Sequence, residues 1–215
     1  MKHDSILPTY SVMRNDCEEL EYSLGESMAA QLDVFAQALR EEGGRTNLMG
    51  PKELNRLWSR HILESIAYIE LLDISQRVVD IGTGAGFPGI ILAICGLSVT
   101  VIEPRKKRAE YLRRVKNKLE LKSVVIEERK IENILKFPVD TQFTGRSVKG
   151  AGKLIELIKK GGNERFSLVY RVPGDTKVTE NLSVSLPVPP LDRSGILVQY
   201  QIDEKNIPAG RKCRE

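Results

Sequence analysis

The amino-acid sequence predicts an α/β fold in which helices cover both faces of a mostly parallel β-sheet. After Asp73, short apolar segments alternate with segments of helical periodicity, which is the pattern of strands joined by crossover helices. Closely spaced glycines at positions 82, 84, 86 and 89 lie where the first of these strands gives way to a helix. A composition of 41% apolar and 29% charged residues is typical of a globular domain with a substantial core.

Two helices are predicted before the sheet. The first contains Met28 and ends at Gly43 and Gly44, and the second begins with Pro51 and extends to Ile69. The apolar positions that indicate the first helix are Leu32, Phe35, Ala36 and Leu39. We expect about the first 25 residues to be frayed or loosely docked, because they are acidic and lack an apolar period.

Six strands can be placed by their apolar runs, and the last is expected to be antiparallel. They span residues 77–81, 98–103, 123–127, 139–144, 166–172 and 195–202. Helices are predicted at residues 87–95, 105–119 and 149–160, the last of them ending at Gly161 and Gly162.

The net charge of +4 is unevenly distributed. Residues 1–75 carry 7 basic and 13 acidic side chains, whereas residues 76–215 carry 26 and 16. The densest basic run, at residues 105–118, contains eight basic side chains and Glu110 as its one acidic side chain. Such a run is ordinarily a solvated helix face, so charge alone leaves open whether this surface binds nucleic acid.

Several classes of protein are excluded by what the sequence lacks. No apolar run approaches the roughly 20 residues that span a bilayer, and the first residues do not resemble an export signal, so we expect a cytoplasmic protein. Cys17, Cys95 and Cys213 lie far apart, and with His3 and His61 as the only histidines no metal site is expected. Cys95 is expected in the core.

The glycine turn after the first predicted strand is the strongest chemical signal. Glycines let a chain turn sharply and let its backbone approach a ligand closely. Gly84, Gly86 and Gly89 also satisfy the dinucleotide spacing G-x-G-x-x-G, so the motif alone leaves S-adenosylmethionine and a nicotinamide dinucleotide open.

Two features of this turn favour S-adenosylmethionine. Asp80 at the strand end suits a cofactor that carries an amino group and would repel a pyrophosphate, and Phe87-Pro88 stands where a pyrophosphate needs an open helix start. Glu103, at the end of the second strand, is placed to accept hydrogen bonds from ribose hydroxyls of either cofactor.

The segment DIGTGAGFPGIILAI, at residues 80–94, resembles the bacterial guanine-N7 methyltransferases of small-subunit ribosomal RNA, also called glucose-inhibited division protein B. Its Phe-Pro-Gly extension is unusual among methyltransferases, which makes the match specific. Shorter segments resemble other motifs of that family in the same order, so the resemblance covers residues 30–160 well. They are Thr46-Asn47-Leu48, Arg60-His61-Ile62-Leu63-Glu64-Ser65, Lys107-Arg108, Arg129-Lys130-Ile131-Glu132 and Gly145-Arg146-Ser147.

This sequence departs from the family pattern at a few positions. Glu64 replaces the usual aspartate, and Ser147 replaces the usual alanine. Arg171 stands near the place of a lysine expected after Gly162, and Arg193 resembles the family's C-terminal arginine.

The resemblance implies a Rossmann-like class I methyltransferase fold with a seven-stranded, mostly parallel sheet. An N-terminal helical cap would comprise residues 1–73, and the S-adenosylmethionine-binding core residues 74–215. The implied reaction is methyl transfer from S-adenosylmethionine to N7 of a guanine in small-subunit ribosomal RNA, either free or in a ribosomal particle. We expect the protein to act as a monomer.

The predicted site residues follow from the turn and from the resemblance. The candidate cofactor-binding residues are Asp80, Gly82, Thr83, Gly84, Gly86, Phe87, Glu103, Ile131, Glu132 and Arg146. The candidates for substrate orientation in catalysis are Arg129 and Arg146, and those for RNA binding are Lys107, Arg108, Arg171 and Arg193. His61 is interpreted as a packed or capping residue, and Asn47 as a turn residue.

Two other functions fit the same pattern. A nicotinamide-dependent oxidoreductase would use the glycine turn for a dinucleotide. A non-catalytic RNA-binding protein would retain the fold and the basic surface without methyl transfer.

Overall fold

The computed structural model describes residues 6–46, 48–133, 136–146, 150–178 and 182–203, and within these ranges seven strands form a single sheet. The strands are β1 (Val78–Ile81), β2 (Val99–Ile102), β3 (Val124–Glu127), β4 (Thr141–Gly145), β5 (Arg165–Val172), β6 (Leu182–Leu186) and β7 (Gly195–Asp203). Their order across the sheet is β3-β2-β1-β4-β5-β7-β6. The first five strands are mutually parallel, and β7 is antiparallel to both of its neighbours.

The strand register brings the carboxyl ends of three central strands level with one another. Ile81 at the end of β1 is paired with Ile102 of β2 on one side and with Gly145 of β4 on the other. The residues that follow these three strands therefore meet at one edge of the sheet, where open α/β folds bind their ligands.

Helices cover both faces of the sheet. After β1 they are α5 (Gly89–Ile94), α6 (Lys106–Lys118) and α7 (Ala151–Lys160), with a 3-10 turn at Ile131–Asn133. Before β1 they are α1 (Tyr10–Glu18), α2 (Glu26–Thr46), α3 (Pro51–Leu54), a π-helical segment (Leu57–Ile62), α4 (Leu63–Ile66) and a 3-10 helix (Ala67–Leu71). No helix in the described part of the chain is long and apolar enough to cross a membrane.

The side chains of β1 alternate between the two faces of the sheet, and each face has its own hydrophobic cluster. Val78 belongs to a cluster that contains α2 residues such as Phe35 and α5 residues such as Ile90, whereas Val79 and Ile81 belong to the cluster under α7. Successive side chains of a strand point to opposite faces, so this division follows from the strand geometry. The helices before β1 thus share one hydrophobic core with α5 and α6.

The helices before the sheet differ from the sequence-based expectation at three places, which are α1, the end of α2 and the segment between Pro51 and Leu71. Residues 6–25 are not loosely docked, because α1 buries Met13 and Cys17 in the main core. Helix α2 continues through Gly43 and Gly44 to Thr46. Near this end Glu42 and Glu41 form ion pairs with Arg114 and Lys118 of α6, and the helix is continuous although each glycine costs a helix interior roughly 1 kcal/mol.

The prediction of one continuous helix from Pro51 to Ile69 is also wrong. Between Pro51 and Leu71 the chain forms α, π, α and 3-10 turns in succession. Local widening to a π-helix is frequent at functional sites, and side chains between Pro51 and Leu71 bind Arg146 just after β4 and Arg171 within β5.

Six of the seven strands lie where the apolar runs predicted them. The apolar runs do not indicate β6, because its residues are mostly exposed and lack a buried apolar run. Asn47, Ser147 and Cys213 lie outside the described residues. Cys95 is partly buried against the main core.

Candidate functional site

A cleft of about 630 Å³ opens at the carboxyl edge of the sheet, above β1, β2 and β4. It lies between the glycine turn, the start of α6 and the segment that joins α2 to the π-helix. Its lining residues are Leu48, Met49, Gly50, Glu53, His61, Gly82, Thr83, Gly84, Ala85, Phe87, Glu103, Pro104, Arg105, Arg108 and Arg146. Seven of the predicted site residues are therefore in this lining.

The glycine turn requires glycine at specific backbone positions. Gly82, Gly84 and Gly86 have positive φ values of 71°, 60° and 109°, which side chains rarely permit. The Thr83 carbonyl accepts hydrogen bonds from the amides of both Gly86 and Phe87, which closes the turn. Its backbone consequently forms one wall of the cleft.

Asp80 lies beneath the turn and does not line the cleft. It is fully buried, and its carboxylate accepts hydrogen bonds from the Gly89 amide (2.9 Å) and the Thr144 hydroxyl (3.0 Å). Burial raises the pKa of Asp80 to about 6, although these hydrogen bonds oppose the shift. A Cβ atom at Gly89 would lie 2.7 Å from Asp80 Oδ2, so the packing requires glycine there.

Glu103 connects the turn to the end of β2. Its carboxylate accepts hydrogen bonds from the Gly84 amide at 3.1 Å and from the Arg105 amide at 2.9 Å, and the residue is 3% exposed. A carboxylate oxygen has two acceptor positions, so each oxygen retains one for a ligand hydroxyl group.

Arg146 closes the opposite side of the cleft from just after β4. Its guanidinium lies over the Phe87 ring at 5.1 Å, and its Nη2 is 2.6 Å from His61 Nδ1. Its Nη1 donates longer hydrogen bonds to the Arg60 carbonyl and to Glu64. The predicted ligand-facing position of Arg146 thus depends on residues that precede the sheet.

Glu64 is the centre of an arginine cluster, which we define as Arg146, Arg171 and Arg193 around this carboxylate. Glu64 is fully buried and lies 3.4 Å from Arg146 Nη1, 2.9 Å from Arg171 Nε and 3.8 Å from Arg193 Nε. Arg171 also donates to the Ser194 carbonyl. Three cations around one carboxylate leave an excess of positive charge beside the cleft.

The remaining predicted residues are more dispersed. Arg108 lines the cleft and lies 3.4 Å from the position of a Cβ atom at Gly84, whereas Lys107 is exposed on α6. Arg129 pairs with Glu127 at 3.0 Å and does not line the cleft. Ile131 and Glu132 occupy the 3-10 turn after β3, and Glu132 is not among the residues of the lining.

His61 and Glu53 were missing from the predicted site. His61 is packed, as expected, but it also lines the cleft and bridges Glu53 and Arg146. The available signal was the Arg-His-x-x-Glu spacing of residues 60–64, which places His61 and Glu64 on one side of a helical turn. The sequence could not assign Arg146 as the partner of His61 and Glu64, because Arg146 lies more than 80 residues later in the chain.

A comparison with solved structures finds chains of similar fold. One similar structure is a substituted form of MtNAS in complex with S-adenosylmethionine, with a TM-score of 0.51 over 93% of this chain and 86% of that chain. The sequence identity is 17%, so this likeness shows the fold alone.

Relatives of higher identity carry one common name, "Ribosomal RNA small subunit methyltransferase G". The protein of Corynebacterium diphtheriae is 38% identical over 159 residues, which are 67% of this chain and 70% of the relative. That of Mycolicibacterium smegmatis is 35% identical over 75% of this chain and 69% of the relative. That of Mycobacterium marinum is 43% identical over 71% and 70%.

The family model described as "rRNA small subunit methyltransferase G" matches residues 28–177. This range contains the glycine turn, Glu103, the π-helical segment and Arg146, which together build the cleft. The match thus covers more than half of the chain, and with it the elements that form the candidate site. The chain belongs to the rRNA small subunit methyltransferase G family.

Proposed function

We propose that this chain transfers a methyl group from S-adenosylmethionine to N7 of a guanine in small-subunit ribosomal RNA. The observation that carries the proposal is the cleft in which Gly84 and Glu103 form one wall and Arg146 the other, in a chain of this family. We expect the protein to act as a cytoplasmic monomer on ribosomal RNA or on a ribosomal particle.

The residues of the cleft fit S-adenosylmethionine. Glu103 keeps acceptor positions for the two ribose hydroxyls, while its bonds to Gly84 and Arg105 hold the carboxylate rigid. Gly84 has no side chain, so the turn presents its backbone to the cleft, with Arg108 Nη1 3.4 Å from the position of a Cβ atom there. Arg105, Arg108 and Arg146 supply positive charge for the carboxylate of the methionine moiety.

The described turn does not favour a nicotinamide dinucleotide. A pyrophosphate would require free amides at the start of the helix after the turn. Here the amide of Gly89, the first residue of α5, already donates to Asp80, and the amides of Gly86 and Phe87 donate to Thr83. Asp80 therefore acts against a dinucleotide by occupying the helix start, rather than by facing the ligand.

The proposed chemistry requires no general base. S-adenosylmethionine supplies an electrophilic methyl group when bound, and N7 of guanine carries a lone pair without a proton. The task of the protein is to hold the base in line with the methyl group, and such positioning contributes up to about 7 to 11 kcal/mol in favourable cases. We propose Arg146 as the residue that orients the guanine, because its guanidinium can donate a hydrogen bond to O6 of the base and leave the N7 lone pair free to attack the methyl group.

We propose two surfaces for the RNA backbone. Lys107 and Arg108 stand in the first turn of α6, where the helix dipole makes clustered cations unfavourable unless an anion binds. Arg171 and Arg193 contribute the excess positive charge of the arginine cluster. The proposed role of Arg129 rests on the family resemblance, since Glu127 binds its guanidinium outside the cleft.

Methyl transfer from radiolabelled S-adenosylmethionine to three substrates tests the proposal. The substrates are naked small-subunit RNA, a precursor particle and the mature small subunit, each prepared from cells that lack the enzyme. We expect incorporation at one guanine, located by N7-specific strand cleavage. Binding of NAD in place of S-adenosylhomocysteine, or tight RNA binding without methyl transfer to any substrate, would refute it.

The Arg146→Ala variant distinguishes cofactor binding from orientation of the substrate. We expect its affinity for S-adenosylhomocysteine, measured by calorimetry, to stay within about tenfold of the wild-type value, because Glu103 and the glycine turn are intact. Methyl transfer should fall by a factor on the order of 100 or more, as expected when a reacting group is misplaced by an ångström. Wild-type turnover in this variant would remove Arg146 from the proposed machinery.

A further inference from the structure

We propose that His61 is a positioning residue that holds the Arg146 guanidinium at the cleft by acting as a neutral hydrogen-bond acceptor, with Glu53 setting its tautomer. The inference rests on the proposed function, because Arg146 matters there as the residue that orients the substrate. His61 itself need not touch cofactor or RNA for this role.

The hydrogen bonds around His61 determine which ring nitrogen carries the proton. Arg146 Nη2 lies 2.6 Å from His61 Nδ1, and a guanidinium has only donors, so Nδ1 must be the unprotonated acceptor. On the other side of the ring, Nε2 lies 2.8 Å from a carboxylate oxygen of Glu53, so Nε2 carries the hydrogen and donates it. The chain Glu53–His61–Arg146 is therefore satisfied only by the neutral Nε2–H form.

Among the described residues, the His61 contact is the shortest hydrogen bond of Arg146, at 2.6 Å. The hydrogen bonds to the Arg60 carbonyl and to Glu64 are 3.3 and 3.4 Å long and both use Nη1. Within this described part of the chain His61 is the partner of Nη2, so it restrains rotation of the guanidinium about its long axis. The His61 ring also packs against Phe87 at 5.2 Å, the same ring on which Arg146 lies.

The surroundings of His61 keep it neutral. The residue is 8% exposed, and burial together with the charge of Arg146 lowers its pKa from 6.5 to about 4. Glu53 raises this pKa and Arg60 lowers it, so the groups that face His61 oppose one another, with burial and the arginines dominant. Protonation would remove the acceptor for Arg146 and place a third positive charge beside Arg146 and Arg60.

Nitrogen-15 spectra of the histidine rings test the tautomer directly in the full-length protein. The chain contains two histidines, so histidine labelling gives two ring systems, and the His61→Asn variant identifies the signals of His61. We expect the Nε2–H tautomer with no protonation at pH 6. A ring that is protonated at Nδ1, or half protonated near pH 6.5, overturns the proposal.

Turnover of the His61 variants tests the positioning role. We expect His61→Ala to lower kcat by about 10- to 100-fold, with the dissociation constant of S-adenosylhomocysteine changed less than threefold. His61→Asn should recover most of kcat, because its side-chain oxygen can take the place of Nδ1 as acceptor for Arg146. A loss of kcat without a loss of S-adenosylhomocysteine affinity, and its recovery in the asparagine variant, would not arise from a general loss of stability.

Trp58→Phe provides a matched control on the same π-helical segment. It removes the hydrogen bond of Trp58 Nε1 to Asp16, which points away from the cleft, and kcat should remain within about twofold of the wild-type value. Wild-type kcat in His61→Ala, or equal losses in the Ala and Asn variants, overturns the inference. If the wild-type protein methylates no RNA, the proposed function fails, whereas the tautomer measurement still decides the state of His61.

Discussion

The two walls of the cleft are built in different ways. One wall is the glycine turn, where the backbone amides of Gly84 and Gly89 donate to Glu103 and Asp80 at sequence separations of at most 19 residues. The other is formed by Arg146 of the arginine cluster, in which Glu64 before the sheet binds Arg146 after β4, Arg171 within β5 and Arg193 before β7, up to about 130 residues later. The first wall depends on the absence of side chains, and the second depends on charged side chains that compensate each other.

This difference indicates how each wall can fail. The turn tolerates few substitutions because a Cβ atom changes its backbone or fills it. The arginine cluster depends instead on charge balance, since a buried carboxylate shared by several guanidinium groups leaves uncompensated cations when it is removed. The predictions below separate these two dependences.

The largest effect is expected at the centre of the arginine cluster. Glu64→Gln removes the buried negative charge that Arg146 and Arg171 contact, and should lower the free energy of unfolding by roughly 3 to 5 kcal/mol. Urea denaturation measures this. Asp140→Asn is the control, because its ion pair with Arg165 is more than half exposed and should contribute less than about 1 kcal/mol. Equal losses in both variants would mean that the cluster does not depend on its charge balance.

A slightly smaller effect is expected on the turn. Gly84→Val places a branched side chain at a φ of +60°, in the wall of the cleft, and should weaken S-adenosylhomocysteine binding at least ~100-fold, or about 3 kcal/mol. Gly96→Val is the matched control, because Gly96 also has a positive φ, of 97°, but nothing lies within 4 Å of its Cβ position. It should lose stability through the same backbone strain and bind the ligand normally. Normal binding by the Gly84 variant would show that the turn does not contact the cofactor.

The pH dependence of stability should reveal the link between the two walls. The pKa of His61 is about 4 in the folded protein against 6.5 unfolded, so the stability it contributes is present above pH 6.5 and is lost as the pH falls toward 4. Asp80 acts oppositely, because its raised pKa of about 6 lets protonation favour the folded state below that pH. Comparing wild type with His61→Asn cancels the Asp80 contribution. Between pH 7.5 and pH 5 the wild type should lose roughly 2 kcal/mol more than the variant; parallel curves would contradict the neutral histidine.

The smallest effects are expected on α6. Lys107→Ala should reduce the slope of log affinity for RNA against log salt concentration by about 1, with little change in cofactor binding. Arg108→Ala should do the same and also weaken S-adenosylhomocysteine binding a few-fold, because Arg108 lines the cleft beside Gly84. Lys118→Ala, at the far end of the same helix, pairs with Glu41 and should leave both measurements unchanged. A slope that changes equally in all three variants would assign RNA binding to net charge alone.

The basic run at residues 105–118 illustrates why charge could be read only in part from the sequence. Its second half is paired with acidic residues, as Arg113 binds Glu128 and Arg114 binds Glu42 of α2. In its first half, Arg105 and Arg108 line the cleft. The sequence shows the number of charges, but only the packing of α2 against α6 decides which of them are compensated.

The sequence by itself determined the parallel sheet and the turn. Apolar runs and glycine positions act over a few residues, so the strands from Val78 to Ile102 and the wall formed by Gly82 to Gly86 could be predicted. Even in the turn, the sequence did not determine where the Asp80 side chain lies. Hydrogen bonds from Gly89 and Thr144 hold it beneath the turn and not in the cleft.

Tertiary structure decided everything that depends on distant partners. Strand β6 gains its place from pairing with β7 rather than from its own residues, and the segment from Pro51 to Leu71 is divided where its side chains bind the ends of later strands. No sequence pattern connects His61 and Glu64 with Arg146, since these contacts arise only when the segment from Pro51 to Leu71 packs over the carboxyl edge of the sheet. The physical reason is that hydrogen bonds and ion pairs between side chains depend on spatial distance, which local periodicity does not specify.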